Sequence, residues 1–518
     1  SLFYNNAAKL ATTATGITVT GAVNGIPFFS DVANSSMYTH DVSGTDDTAQ
    51  NNTAYGFNAL DGITTGDNNV AIGCSAGGAV TTALENTLMG SFAGDALVSG
   101  SYNVAIGTHA LGTEDLGSRS TAVGYGTLTA QNVDGNVYNT AVGFLAGGAV
   151  TTGTLNTLIG GLAGNALTTG AQNTAIGHEA LSTEDTGARN TAIGEGSLKT
   201  LNFDGNGYNV AVGYNSGHLM TTGVHNTLIG GEAGDALTIG VNNIAIGYLA
   251  LSASIDGDHN VAIGTYALRN YEDGDGNGSN TAVGHASQTN ASTGEFNTSL
   301  GSLSMGVGVV TGDYNVALGY KAGEDLTAGA QNTMIGGLAM GVGVTTGANN
   351  VAIGYRSGED LTSGNENSLL GVLAGAGLTG GSSNVAVGYG ALSSEDAHGK
   401  NTAIGHTALS ILNAGADGVN VAVGYKSGES MTTGIKNVIL GAFAGDALTS
   451  GSYNTALGHG ALSSEDAHGR NVAIGSSALT TLNAGQDAYN VAIGYNAGAA
   501  VTTGIQNTLL GSQVGDAL

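Results

Sequence analysis

The segment Asn-Thr-Ala-Ile-Gly at residues 173–177 recurs along almost the whole 518-residue chain at a nearly constant spacing. Copies led by asparagine, or once by Ser120, begin at 27 positions from Asn52 to Asn507, and a glycine stands four residues after each of them. Most intervals are 17 residues, and the others are 18 to 20. Such a period is typical of a solenoid, in which each repeat forms one rung stacked on the last.

The repeat also predicts which side chains face inward. We number each rung from its leading asparagine, so that Asn173 is at position 1 and Gly177 is at position 5. Position 4 is a large aliphatic residue such as Ile176, position 2 is usually Thr or Val, and both share one face of a strand. We predict that this face is the interior, so that Ile176→Asp would disrupt assembly. Position 3, mostly Ala but larger in every few rungs, as at Leu158, is predicted to face outward against another chain of a side-by-side homotrimer.

Columns of asparagine and glycine predict how the rungs connect. Stacked asparagines can bond to one another along the solenoid axis, and they also tolerate left-handed backbone at a corner. A second glycine column, which includes Gly153 and Gly170, predicts turns with positive φ. A small residue three positions after the first glycine predicts a tight bend beside the opposite wall. The predicted structural ladder contains Asn173, Ile176, Gly177, Asn190, Gly194, Asn243 and Gly247.

The rungs come in four kinds, and one cycle of four spans about 70 residues, as from Ser120 to Asn190. The third kind carries an acidic pair such as Glu184 and Asp185, and the fourth kind has a two-residue insertion, as at 202–207. Insertions at one place in a repeat map to loops on one side of a solenoid. We therefore predict one rough, acidic edge, on which Glu184→Ala would have almost no effect.

The amino-acid composition indicates an ordered protein and argues against some classes of binding partner. The chain has 90 glycines, one proline and no tryptophan, and its apolar residues follow the period, which predicts an ordered all-β protein rather than disorder. A net charge of -28 argues against nucleic acid and anionic membranes, because both require a basic surface. No apolar run is long enough for membrane insertion. Cys74 is the only cysteine, so no disulfide is expected.

The period also suggests domain limits. Residues 1–51 do not follow it and are predicted to form an N-terminal adaptor or cap with a strand at 17–20, whereas residues 52–518 form the repeat shaft. The last rung stops partway through its circuit at Leu518. An open ladder end exposes unpaired backbone groups, so we expect a further domain or another protein to cover it.

Two families carry similar motifs. Asn-Val-Ala-Ile-Gly, as at Asn69, Asn350 and Asn490, resembles the head repeat of trimeric autotransporter adhesins, which implies a left-handed parallel β-roll with three chains side by side. The longer pattern Asn-Thr-Ala-Ile-Gly-x-x-Ala-Leu, together with residues 2–21, is more similar to bacteriophage tail fibres. That resemblance implies a virion fibre shaft that holds a host-recognition tip and is followed by a self-cleaving chaperone domain. The 17-residue rung is longer than that of the adhesins, and a cell-surface adhesin or self-assembling extracellular filament is the alternative.

The sequence predicts no metal site and no cofactor, apart from weak Ca²⁺ binding at acidic loops such as Glu395-Asp396. Residues 273–278 match the first half of an EF-hand loop, but its twelfth position is Gly284 rather than glutamate. His178, His406 and His459 share one position of different rungs and are too far apart to bind one ion.

No catalytic residue is predicted, and the chain is not expected to be an enzyme. The Glu-Asp pairs are adjacent in sequence, whereas glycosidase carboxylates face each other across a bond. A polysaccharide depolymerase and an ice-binding solenoid are weaker alternatives. Tyrosines at position 6 either contact a host glycan or protein receptor or pack between chains; the candidates are Tyr214, Tyr355, Tyr425 and Tyr495.

Overall fold

The structure of the protein, a computed structural model, describes residues 2–4, 7–13, 16–19, 29–31, 35–39, 47–272 and 278–515. These residues form strands and turns, and none of their segments is a helix that could cross a membrane. The chain divides into two compact units, Ser1–Asn243 and Ile244–Leu518.

Short strands, most of them three residues long, make up the first unit. They are β1 (Leu2–Tyr4), β2 (Ala7–Thr13), β3 (Gly16–Val19), β4 (Phe29–Asp31), β5 (Ser36–Tyr38), β6 (Thr53–Tyr55), β7 (Val70–Ile72), β8 (Thr87–Met89), β9 (Val104–Ile106), β10 (Gly117–Ser118), β11 (Thr121–Val123), β12 (Gly135–Asn136), β13 (Thr140–Val142), β14 (Thr157–Ile159), β15 (Thr174–Ile176), β16 (Thr191–Ile193), β17 (Val210–Val212) and β18 (Thr227–Ile229).

All strands in the described part of the second unit belong to the repeats. They are β19 (Ile244–Ile246), β20 (Val261–Ile263), β21 (Thr281–Val283), β22 (Thr298–Leu300), β23 (Val316–Leu318), β24 (Thr333–Ile335), β25 (Val351–Ile353), β26 (Ser368–Leu370), β27 (Val385–Val387), β28 (Thr402–Ile404), β29 (Val421–Val423), β30 (Val438–Leu440), β31 (Thr455–Leu457), β32 (Val472–Ile474), β33 (Val491–Ile493) and β34 (Thr508–Leu510).

In each unit the repeat strands pair in parallel, each with the strand of the next rung and in exact register with the repeat. Thr174 lies opposite Thr191, for example, and Ala175 lies opposite Ala192. The predicted all-β parallel solenoid, with about 27 rungs and a 17-residue period, is therefore confirmed. Before the repeats, β1, β2 and β3 form an antiparallel sheet that includes most of the predicted strand at 17–20. The predicted boundary at residue 51 stays a prediction.

The predicted direction of the side chains is wrong. Ala175 at position 3 is fully buried, whereas Thr174 and Ile176 on either side of it are half-buried and face outward. Other repeat strands show the same arrangement, with position 3 inside. The prediction placed the largest side chain inside, but a rung with only three strand residues encloses a narrow interior in which alanine fits. Position 3 is therefore also excluded as a contact surface for another chain.

The interior is filled by complementary residues at positions 3 and 9. Ala175 faces inward in a rung that has the buried Leu181 at position 9. In the preceding rung the sizes are exchanged: Leu158 is at position 3 and Gly164 is at position 9, where a Cβ atom would lie 2.7 Å from Cδ2 of Leu158. The same leucine also fills the space at Gly147 one rung earlier, where a Cβ atom would lie 2.6 Å from its Cδ1. The size of each inward residue thus depends on its neighbours, as close packing requires.

The asparagine column forms the predicted ladder along the stack. The backbone N–H of Asn173 donates to Oδ1 of Asn156 at 2.9 Å, and that of Asn190 donates to Oδ1 of Asn173 at 2.9 Å. The backbone N–H of Asn243 likewise donates to Oδ1 of Asn226 at 2.9 Å. In addition, Nδ2 of Asn173 donates to the carbonyl oxygen of Gly187 at 2.8 Å. These amides are buried, so each one satisfies polar groups that water does not reach.

Left-handed backbone occurs one residue before the asparagine rather than at it. Gln172 has a φ of 60° and Arg189 a φ of 63°, whereas Asn173 and Asn190 do not have positive φ. Of the two roles considered for the asparagine column, the structure thus supports the hydrogen-bonded ladder.

The exception at Ser120 is compensated within its own rung. Gln131, at position 12, donates from Nε2 to Oγ of Ser120 at 3.0 Å. Its Oε1 accepts a hydrogen bond from Nδ2 of Asn139 in the next rung at 2.8 Å. The glutamine amide therefore takes the place of the missing asparagine amide.

Glycine is required in the two columns for different physical reasons. Gly177 has a φ of +141°, and a Cβ atom there would lie 2.4 Å from the carbonyl oxygen of Gly194, so both backbone conformation and space require glycine. Gly194 and Gly247 belong to this column. The prediction of positive φ for the second column is wrong at Gly153 and Gly170, which lack it; glycine is needed there because a Cβ at Gly153 would lie 2.2 Å from the carbonyl oxygen of Gly170.

Candidate functional site

Glutamates of the acidic rungs lie inside the solenoid and not on a solvated edge. Glu114, Glu184, Glu395 and Glu465 occupy position 12, and none of their surface is exposed. In neighbouring rungs the same position holds the buried Leu167. The prediction of an exposed acidic edge is therefore wrong for these glutamates. It is right for the insertion at 202–207, most of which is exposed.

Backbone N–H groups surround the carboxylate of Glu184. Its Oε1 accepts from Gly187 at 2.7 Å and from Asp185 at 3.1 Å, and its Oε2 accepts from Phe203 of the next rung at 3.2 Å. Burial raises the pKa of Glu184, and these hydrogen bonds offset only part of that effect. Glu184→Ala is consequently not expected to be silent, because it would leave buried donors without an acceptor.

Glu184→Gln should change how stability depends on pH. The pKa of Glu184 is higher in the folded chain than its ordinary value of 4.5, so the neutral form is favoured by folding. Its contribution to stability is fully present below pH 4.5 and is lost as pH rises through the higher folded pKa. We expect wild type to lose stability relative to Glu184→Gln over that range. Gln131 shows that glutamine fits at position 12.

Urea unfolding of both proteins at a series of pH values measures this difference. Asp134→Asn, in the exposed insertion of the rung that begins at Ser120, is the control for a general effect of removing one charge. A difference between wild type and Glu184→Gln that does not change with pH would contradict the assigned cause.

Two of the acidic rungs also place a histidine beside the glutamate. Oε1 of Glu395 lies 3.5 Å from Nδ1 of His398, and Nδ1 lies 3.9 Å from Oδ1 of Asp396. The later cluster, Glu465, Asp466 and His468, repeats this arrangement with the same 3.5 Å between glutamate and histidine. In each cluster one ligand-type atom from each residue lies within 4.8 Å of the other two. Burial raises the pKa of Glu395 and of Glu465.

The histidine takes the place of a glycine. In the rung of Glu184, position 15 is Gly187, whose N–H donates directly to the glutamate at 2.7 Å. At His398 this short bond is lost, and both Oε1 of Glu395 and Nδ1 of His398 are buried atoms without a hydrogen-bond partner. In the later cluster Nδ1 of His468 is likewise without a partner, whereas Oε1 of Glu465 accepts a longer bond of 3.2 Å from the N–H of His468. Sequence reasoning considered the Glu395-Asp396 loop but missed His398; the recurrence of Glu-Asp-Ala-His at residues 395–398 and 465–468 was the available signal.

Aromatic residues at position 6 form a second, exposed feature. The predicted contact residues Tyr214, Tyr355, Tyr425 and Tyr495 are all exposed. Within the second unit, the ring of His406 stacks on Tyr389 at 5.1 Å between centroids and lies 5.4 Å from Tyr425. The histidines at position 6 are thus part of an aromatic row. Because His406 and His459 lie in different rungs, three rungs apart, they do not bind one ion together. Whether the row contacts a receptor stays a prediction.

One predicted loop cannot be placed. The partial EF-hand match begins in residues 273–277, which lie outside the described residues. Comparison of the chain with protein-family models and with curated proteins finds no match.

Proposed function

We propose that this chain is the structural shaft of a fibre, most simply a bacteriophage tail fibre that holds a host-recognition tip, and that it assembles as a homotrimer. The alternative is a cell-surface adhesin or an extracellular filament. One observation supports a mechanical role above all: successive rungs in either unit are bonded by backbone hydrogen bonds and, nearly throughout, by asparagine amides, with Gln131 in their place at Ser120. In such a stack, a load along the axis is shared by many hydrogen bonds, and protease access requires several rungs to open together.

The carboxylates support a structural role for the acidic rungs. Glu184 is enclosed and already accepts three backbone hydrogen bonds, so its carboxylate is a packing element and not a free acid or base. We infer that the chain acts through its shape and surface and not by catalysis.

An apolar surface supports the homotrimer. The outward residues at positions 2 and 4, here called the outer sheet face, form two columns of half-buried or exposed Thr, Val, Ile and Leu side chains. Several of these residues are substantially exposed in the single chain, and such patches favour burial against a partner. The most exposed aliphatic members at position 4 include Ile159, Ile229, Leu300, Leu370, Ile404 and Leu457.

The purified 518-residue chain provides the test of assembly. Light scattering should give three times the chain mass of 50.7 kDa. The double variant Ile176→Lys/Ile193→Lys places two charges on the outer sheet face and should release single chains with an unchanged β-type circular dichroism spectrum. Thr169→Lys, at an exposed site away from that face, should remain trimeric. A wild-type mass of one chain would contradict the homotrimer.

Immunogold electron microscopy tests the location. Antibodies against the chain should label fibres attached to phage particles if the shaft belongs to a virion. Label on cell surfaces or on filaments of indefinite length would instead support the adhesin or filament and reject the tail fibre.

A further inference from the structure

The two Glu-Asp-Ala-His segments share an arrangement that the other acidic rungs lack. In the rungs of Glu395 and Glu465, an imidazole nitrogen faces a fully buried carboxylate, and a second carboxylate lies alongside. Both segments belong to the second unit and lie four rungs apart in sequence. Residues 390–399 recur unchanged as residues 460–469, so both copies of this segment contain the cluster.

The buried atoms are incompletely bonded. Oε2 of Glu395 has only a long contact of 3.4 Å from the N–H of Ala414, and Oε1 has no hydrogen-bond partner. Nδ1 of His398 points at this Oε1 and is also without a partner. In the second cluster Nδ1 of His468 is without a partner too, and Oε1 of Glu465 accepts one bond of 3.2 Å from the N–H of His468, which leaves its second lone pair open. An unpartnered buried carboxylate oxygen is costly, whereas a cation held between it and the imidazole would satisfy both atoms.

We propose that Glu395, Asp396 and His398 form a binding site for a divalent transition-metal ion of the zinc class, and that Glu465, Asp466 and His468 form a second one. Each site supplies two carboxylate oxygens and one imidazole nitrogen, and water completes the coordination. The ions would stabilise the turn after position 12 by joining three of its side chains.

The distances fit a small tetrahedral ion. Ligands about 2.1 Å from zinc at tetrahedral angles lie roughly 3.4 Å from one another. The glutamate and histidine atoms are already 3.5 Å apart, and Asp396 is 3.9 Å from the histidine. The side chain of Asp396 is half exposed, and its Oδ1 accepts a hydrogen bond from the N–H of Ala397 at 2.5 Å, so it would bind the ion through its second lone pair.

The donor set distinguishes between metals. Calcium takes about six to eight oxygen ligands, whereas this cluster offers two carboxylates and a nitrogen. Imidazole with carboxylate is suited to zinc and to neighbouring first-row ions. Asp417 of the next rung accepts a hydrogen bond from Gly399 and pairs with Lys400 at 2.5 Å, so the negative charge of the site comes from its own two carboxylates.

Zinc binding by the metal-free full chain tests this site. After treatment with a chelator and dialysis, titration with Zn²⁺ alone should give two ions per chain, one for each cluster. Substitution with Co²⁺ should produce the visible absorption of a tetrahedral nitrogen–oxygen site. Zinc should also raise the melting temperature of the wild-type chain.

The matched variant is His398→Gly/His468→Gly, which recreates the position-15 glycine found at Gly187 and should therefore fold. It should lose both ions and the thermal shift. His406→Gly/His459→Gly removes two histidines from the exposed aromatic row, in the same unit, and should retain both ions.

A second variant separates the carboxylate from the imidazole. Glu395→Gln/Glu465→Gln should weaken zinc binding at least about tenfold, as loss of a group that orients or ligates a metal does. Absence of saturable zinc binding to wild type would overturn the proposal. Retention of two ions by His398→Gly/His468→Gly would also overturn it, because the ions would then be bound elsewhere.

Discussion

Ala175→Asp is expected to prevent the first unit from forming its native stack, or to lower the free energy of unfolding by roughly 3–5 kcal/mol, as an unpaired buried charge does. The alanine side chain is fully buried, and its neighbours in the adjacent rungs are Leu158 and Ala192. No cation or free hydrogen-bond donor faces it from these positions. Far-UV circular dichroism and urea unfolding would measure the loss.

Ile176→Asp is the matched control, because it introduces the same charge one residue later. Ile176 is half-buried and faces outward, so an aspartate there can reach water and the spectrum of the solenoid should be retained. Any effect on chain assembly would appear separately in the mass. Equal loss of β structure in the two variants would contradict the inward direction of position 3.

Gly160→Ala is expected to destabilise the first unit by about 2–5 kcal/mol, from backbone strain together with overpacking. Gly160 has a φ of +133°, and a Cβ atom there would lie 2.3 Å from the carbonyl oxygen of Gly177. A carbonyl oxygen in a bonded stack cannot move aside without loosening the next rung. The melting temperature of the purified variant gives the measurement.

The adjacent Gly161→Ala supplies the comparison. Gly161 does not have positive φ, and its nearest neighbour to a Cβ atom would be the ring of His178 at 3.5 Å, an ordinary contact. Its effect should stay within about 0.5 kcal/mol. Equal melting temperatures of Gly160→Ala and Gly161→Ala would contradict the requirement for glycine at position 5.

The fold could be predicted from sequence because the repeat is local and frequent. The recurrence of residues 173–177 fixes the rung length and the parallel pairing, and the asparagine column is polar at the edge of an apolar strand. The side-chain direction could not be predicted in the same way. Alternation says only that positions 2 and 4 share a face, and the size of Ile176 suggested the interior, although the inward residues of this rung are Ala175 and Leu181.

The candidate site was harder to predict because it depends on contacts between segments. Glu184 looked solvated, since an acidic pair in a polar loop usually is, yet its position coincides with that of the buried Leu167. The numbering of the rung would have shown this coincidence. The orientation of His398 toward Glu395 could not be read from spacing, because it depends on the path of the backbone after position 12.

The exchange of leucine and glycine between positions 3 and 9 restricts how such a protein can change its length. Loss of the single rung that carries Leu158 would leave Gly147 without the side chain that fills its space, whereas loss of four successive rungs would restore the same neighbours. Internal duplications and deletions should therefore be tolerated when they restore these neighbours, which means steps of four rungs, or about 19 Å of stack, over most of the chain and of two rungs between Met334 and Leu369. The interior packing would thus determine by how many rungs the lengths of related shafts can differ.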